Sequence, residues 1–92
     1  MKIEFDPSKR VRTLQERGVD MARADKVFED AHITFADIRF EYGENRWITI
    51  GHLDGRMVVL AWTPHDETRR IISMRKANER EQRKFGYRFN SR

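Results

Sequence analysis

Two β-rich runs, Arg46-Trp47-Ile48-Thr49-Ile50-Gly51-His52-Leu53 and Arg56-Met57-Val58-Val59-Leu60-Ala61-Trp62-Thr63, are separated by only Asp54-Gly55. A two-residue Asp-Gly link tolerates positive φ at both positions and so closes a type I′ hairpin. The second run is apolar on both alternating faces, with Met57, Val59 and Ala61 on one and Val58, Leu60 and Trp62 on the other. Such a strand has to be covered on both sides, which predicts a central place in a sheet.

The flanks supply the cover. Ile3 to Phe5 reads as a short strand, after which Asp6 caps a helix with Pro7 in its first turn, running to about Arg17 and closed by Gly18. Val11 and Leu14 mark its inward stripe. Asp20 caps a second helix, Met21 to about Glu29, with Met21, Ala24, Val27 and Phe28 on one face. Between Ala31 and Asn45 the pattern is weak; Ile33, Phe35, Ile38, Phe40 and Tyr42 support a short strand and an ordered loop. Thr63 to Thr68 is a polar turn with Pro64, and Arg69 to Ser73 is a further strand, antiparallel to the second hairpin strand. Ser73 is placed to cap a last helix, Met74 to about Phe85, stopped by Gly86. The order is β-α-α-β-β-β-α, with three or four strands after the helices: one α+β domain over residues 1–92, helices against a small antiparallel sheet.

Charge is distributed unevenly. Residues 1–68 hold 10 Lys/Arg and 13 Asp/Glu, whereas residues 69–92 hold 9 Lys/Arg and 2 Asp/Glu, so a net +7 sits in the last quarter of the chain. That asymmetry suits an anionic partner, either nucleic acid or an acidic protein, although a solvated helix face produces the same pattern. Without cysteine there is no disulfide framework or thiolate metal site. Met1-Lys2-Ile3-Glu4-Phe5-Asp6-Pro7 has charge where a secretory signal needs an apolar run, and no stretch approaches the ~20 apolar residues of a membrane span. The expectation is a cytoplasmic, unanchored protein. Neither a Gly-rich phosphate loop nor a nucleophile elbow is present.

Phe5-Asp6-Pro7-Ser8-Lys9, the Asp54-Gly55 hairpin ending at Trp62-Thr63, and Arg70-Ile71-Ile72-Ser73 leading into Arg75-Lys76-Ala77 together resemble the BrnT toxin family over nearly the whole chain, Ile3 to Phe85. The stretch from Arg70 to Ala77 is the most specific part. The resemblance implies a RelE-like fold, ribonuclease activity that blocks translation and arrests growth, and neutralisation by a BrnA-like DNA-binding antitoxin. It implies that the complex forms a higher-order assembly and represses its own operon by binding operator DNA. Where relatives carry Lys-His-Gly at the end of the first helix, this chain has Glu16-Arg17-Gly18.

Metal-free RNA cleavage needs a base for the 2′-hydroxyl, cations for the charge accumulating at phosphorus, and an acid for the leaving 5′-oxygen. Arginine stays protonated and fills the middle role. The candidate catalytic residues are Lys9, His52, Arg75 and Lys76; those for RNA binding are Arg46, Trp47, Arg69, Arg70, Ser73 and Arg80. Ser73, Arg75 and Lys76 at a helix start are placed to bind one phosphate. The bland alternative has Ser73 only capping and Arg75 paired with Glu79. Lys9 belongs to the matched opening motif. His52 is chemically suited to acid–base work but lies at a strand end, Trp47 is as well explained by a core as by base stacking, and His32 and His65 have little to recommend them. Three histidines spaced 20 and 13 residues apart give no zinc pattern, so no metal or cofactor is expected. The basic face of the last helix, Arg80 and Arg83 included, is expected to contact the antitoxin. A non-catalytic nucleic-acid- or protein-binding module is the competing function.

Overall fold

The computed structural model describes residues 2–90, backbone only at Asn90; Met1, Ser91 and Arg92, the last counted in the basic segment, lie outside the described residues. In chain order the elements are β1 (Lys2–Glu4), α1 (Pro7–Arg17), a 3-10 turn (Met21–Arg23) running into α2 (Ala24–Glu29), β2 (Ile33–Ala36), β3 (Trp47–Leu53), β4 (Arg56–His65), β5 (Thr68–Lys76) and α3 (Glu79–Asn90). The fold is α+β, with four strands after the first helices.

Asp54 and Gly55 take φ of 53° and 77°, as the hairpin requires, and β3 pairs antiparallel with β4 from Leu53↔Arg56 to Trp47↔Trp62. The sheet order is β1-β5-β4-β3-β2, so β4 is central. β1 runs parallel to β5 and the other pairs are antiparallel, making the sheet mixed rather than purely antiparallel. The polar turn after Thr63 is shorter than expected: β4 continues through Pro64 and His65, and Asp66, at φ 55°, turns the chain with Glu67. The two faces of β4 enter two cores. Val58, Leu60 and Trp62 pack with Met21, Ala24 and Val27 beneath α2. Met57, Val59 and Ala61 pack with Ile48, Ile50 and Ala77, and with Phe85 and Phe89 of α3.

The α1 expectation needs correction. Val11 and Leu14 are 54% and 44% exposed, and no residue of α1 is buried. Polar contacts anchor the helix instead. β1 covers β5 only as far as Arg70, paired with Glu4, which leaves later outward carbonyls of β5 to find other donors. Lys9 Nζ donates to the Ile72 carbonyl at 3.2 Å and Arg17 Nη1 to that of Met74 at 3.3 Å. Arg10 meets Asp20 through Nε at 2.7 Å and Nη2 at 3.0 Å, tying α1 to the carboxylate that also caps the 3-10 turn.

The end of the chain departs most from the sequence reading. β5 continues to Lys76, so Ser73 does not cap a helix; it is a strand residue opposite Ala61. The helix begins at Glu79, five residues after the expected start at Met74, where Asn78 Oδ1 accepts from Glu81 N at 2.8 Å and Glu81 Oε1 accepts from Asn78 N at 2.9 Å. This reciprocal capping box satisfies the open amides that Ser73 was expected to serve. Nor does Gly86 stop the helix, which runs on to Asn90, because Phe85 and Phe89 on either side of it pack into the second core.

The β4–β5 register also shifts by one residue: Ala61 faces Ser73 while Trp62 faces Ile71, leaving Ile72 as an extra residue in β5. This bulge changes which face each later side chain takes. Ile71 and Met74 enter the α2-side core, whereas Ile72 packs on the α3-side core.

Gly51 lets α2 approach β3 closely, since a Cβ placed there would lie 2.6 Å from Val27 Cγ1 and 3.3 Å from His32 Cβ. Val27 is completely buried and has nowhere to go. Gly51→Ala is therefore expected to destabilise the domain by about 1–3 kcal/mol, read as a lower midpoint in urea denaturation; an unchanged midpoint would contradict this packing.

Candidate active site

With β5 re-phased by the bulge, Ser73 and Arg75 point to the side of the sheet covered by α3, and Lys76 points to the other. A cleft of about 630 Å³ lies on the α3 side between the β2 edge and the helix, lined by Ser73, Arg75, Asn78, Arg80, Glu81 and Lys84, with Asp37 and Arg39 from the loop after β2. Phe35, Ile38, Ile48, Ile50, Val59 and Phe85 complete an apolar floor and wall. Four cations and two carboxylates thus meet on one apolar surface.

Two of those cations are held in forked ion pairs. Arg75 Nη1 and Nη2 donate to Glu81 Oε1 and Oε2, each at 2.8 Å, a bidentate geometry that is among the stronger polar contacts proteins make. The guanidinium holds the Glu81 carboxyl below its ordinary range, with burial opposing and the Asn78 amide assisting. Asp37 accepts from Arg39 Nε at 2.8 Å and Nη2 at 2.9 Å, from Arg39 N at 3.3 Å, and from Tyr42 Oη at 3.2 Å. Its side chain is only 2% exposed, and Arg39 draws its pKa down to about 2. Among the described residues, Arg80 and Lys84 form no ion pair with a carboxylate.

Of the residues singled out from sequence, Ser73, Arg75 and Arg80 come together in this cleft. Ser73, Arg75 and Lys76 cannot hold one phosphate jointly, because consecutive strand residues face opposite ways; Lys76 lies beside Gly18, Arg56 and Asp20 in a separate hollow. Arg75 pairs with Glu81 and not with Glu79, the consequence of its being on a strand. Lys9 serves the Ile72 carbonyl. His52 is half-buried with its ring edge-on to Phe89, centroids 4.7 Å apart. Arg46 stacks 3.9 Å above Tyr42 and donates to Glu44. Trp47 packs against Trp62 on the α2 side, 6.4 Å between centroids. Arg69 lies 4.0 Å over Phe28 and 5.3 Å from Trp62, where burial pushes its guanidinium pKa down and leaves Nε without a hydrogen-bond partner among the described residues. Arg70 reaches Glu4 at 3.6 Å, and His65 is bonded to the same carboxylate.

Sequence reasoning missed Asp37, Arg39, Glu81 and Lys84 as members of the site. The Asn78-x-x-Glu81 spacing of a capping box was the available signal for the true helix start, and hence for which α3 residues face β5. Asp37 and Arg39, in an irregular loop, had no periodic pattern to reveal them.

The structure is thus a small α+β domain with a cation-lined cleft on one sheet face. The model of the family described as the ribonuclease toxin, BrnT, of type II toxin–antitoxin systems matches residues 5–81. The chain belongs to that family: it is a type II ribonuclease toxin, and membership implies an antitoxin partner. A search of curated proteins gave no match. Among the described residues no helix is long and apolar enough to cross a membrane.

Because the folded pKa of Asp37 is depressed, its stabilising contribution is complete above the ordinary aspartate value of 3.8 and is lost as pH falls through about 2. Denaturation midpoints measured across that window should fall less steeply for Asp37→Asn than for the wild type; parallel slopes would show that the Asp37–Arg39 fork adds nothing.

Proposed function

We propose that the chain is a metal-independent endoribonuclease whose substrate lies in the α3-side cleft. The observation that carries this reading is the convergence of Arg75, Arg80, Lys84 and Arg39 around Ser73, all bordering one apolar surface. Positive groups fixed beside apolar walls stabilise charge building up at phosphorus far better than the same groups in water, because they need no reorganisation. Ser73 adds a hydroxyl donor, and the exposed Phe35 beside Phe85 offers base-sized flat surface at the rim.

In this reading RNA cleavage in the cytoplasm inhibits translation and arrests growth, and a BrnA-like antitoxin neutralises the toxin and represses the operon jointly with it as a higher-order complex. Ile38 and Phe40, 88% and 70% exposed at the cleft's outer loop, support a protein partner on this side, since apolar side chains left so open mark contact surfaces when they cluster. A RelE-like arrangement belongs to the same reading, supported by the early helices on one sheet face and the last helix on the other.

The purified chain is expected to cleave single-stranded RNA with EDTA present. Arg75→Ala should lower kcat/KM by roughly 100-fold or more, the usual loss on removing a charge-stabilising donor, with circular dichroism unchanged. Lys76→Ala, across the sheet, should lose far less. Folded protein that binds RNA and never cuts it would support the binding-module alternative, and equal losses at Arg75 and Lys76 would contradict this placement of the substrate.

A further inference from the structure

We infer that Glu81 is the general base of the cleft, taking the proton from the RNA 2′-hydroxyl, and that Lys84, one turn further along α3, supplies the proton to the leaving 5′-oxygen. The inference rests on the ribonuclease reading above and names the groups that reading leaves open.

Geometry selects Glu81 from the acid–base groups near the cleft. Asp37 has a side chain only 2% exposed, so a substrate hydroxyl cannot reach it. His52 does not line the cleft and has its ring against Phe89. Glu81 is 21% exposed, lines the cleft and is locked in position by the Arg75 fork and by the Asn78 amide. Both Nη atoms of Arg75 are engaged by Glu81 in the free protein. An RNA phosphate arriving at the same guanidinium either takes that fork or settles beside it, and both outcomes put a second anion next to the carboxylate. Its proton affinity then rises, from the shared or lost cation and from the new negative neighbour. The carboxylate is a weak base until substrate is bound and a stronger one afterwards.

The step balances without a further reactant. The 2′-hydroxyl proton moves to Glu81, the 2′-oxygen forms a bond to phosphorus, the bond from phosphorus to the 5′-oxygen breaks, and the ammonium of Lys84 protonates that oxygen. The products are a 2′,3′-cyclic phosphate and a 5′-hydroxyl. Proton exchange with water restores both side chains. Lys84 suits the acid role because it lines the cleft and forms no carboxylate ion pair among the described residues.

Glu81→Gln tests the assignment, since glutamine keeps the capping box while losing the basic oxygen and the charge on Arg75. Expected are a kcat loss of ~100-fold or more, unchanged or tighter binding of a 2′-O-methyl RNA that cannot be cut, and disappearance of the acid limb of the kcat–pH profile. The other charged groups facing Glu81 are Arg75 from β5, Asp37 and Arg39 from the loop, and Arg80 and Lys84 on α3; the one other carboxylate among them, Asp37, is held down at about 2 by Arg39, which leaves that limb to Glu81. Retained kcat with a wild-type profile overturns the proposal. So does loss of kcat together with weakened binding of the 2′-O-methyl RNA, which would show that Glu81 only holds Arg75 in place. Wild-type protein that binds the methylated RNA and cuts none of the unmodified strand fails the ribonuclease reading instead, and the base assignment falls with it.

Discussion

The site depends on one extra residue in one strand. Without the bulge at Ile72, strict alternation along β5 would send Arg69, Ile71, Ser73 and Arg75 to the same face, beneath α2, where Arg69 already fills the space above Phe28 and Trp62. With it, Ile71 and Met74, three residues apart, both enter the α2-side core, and Ser73 and Arg75 emerge on the side of α3. Bulges commonly re-aim side chains in this way beside functional sites. Here the irregularity is held from outside by α1, whose Lys9 and Arg17 donate to the carbonyls of Ile72 and Met74 where β1 no longer covers the strand. Lys9, a candidate for catalysis from the sequence, thus donates to the carbonyl of the bulge residue itself and does not line the cleft.

The cleft is electrostatically preloaded. Arg75 and Arg39 each carry a carboxylate in a forked pair at 2.8–2.9 Å, so neither presents an uncompensated charge to the apolar wall. Set against apolar residues of the same volume, partly buried pairs of this kind gain little, because desolvation offsets most of the attraction, while removing one partner is costly. Their value lies in orientation. Under the proposed ribonuclease reading, a guanidinium already fixed by its own carboxylate would meet an incoming phosphate with its direction set, and Arg80 and Lys84 would balance the added charge.

How much of this was legible in the sequence follows from where regular patterns existed. The hairpin at Asp54-Gly55, the central place of β4 and the caps at Asp6, Gly18 and Asp20 were all readable, because each rests on local backbone chemistry or simple alternation. The segment from Arg69 to Phe85 was misread by about five residues. Ser73 is a good capping residue by type, yet β5 gains more by pairing with β4 out to Lys76 than a helix would by starting early, and Asn78 with Glu81 forms a complete box further on. A bulge has no signature in a single sequence, so which face Arg75 takes could not be deduced. Asp37 and Arg39 were invisible because their partnership is made inside an irregular loop. The helix α1 looked amphipathic through Val11 and Leu14, but its anchors are polar, and a hydrophobic stripe was the wrong place to look.

The proposed ribonuclease reading puts RNA on the α3 face of the sheet and not on the α2 face. NMR shift mapping of the wild-type chain with a short 2′-O-methyl RNA measures this directly. The perturbed amides are expected to cluster at Ser73, Arg75, Asn78, Arg80 and Lys84, with the Asp37–Arg39 loop following. Perturbations centred instead on Gly18, Arg56 and Lys76, across the sheet, would contradict it.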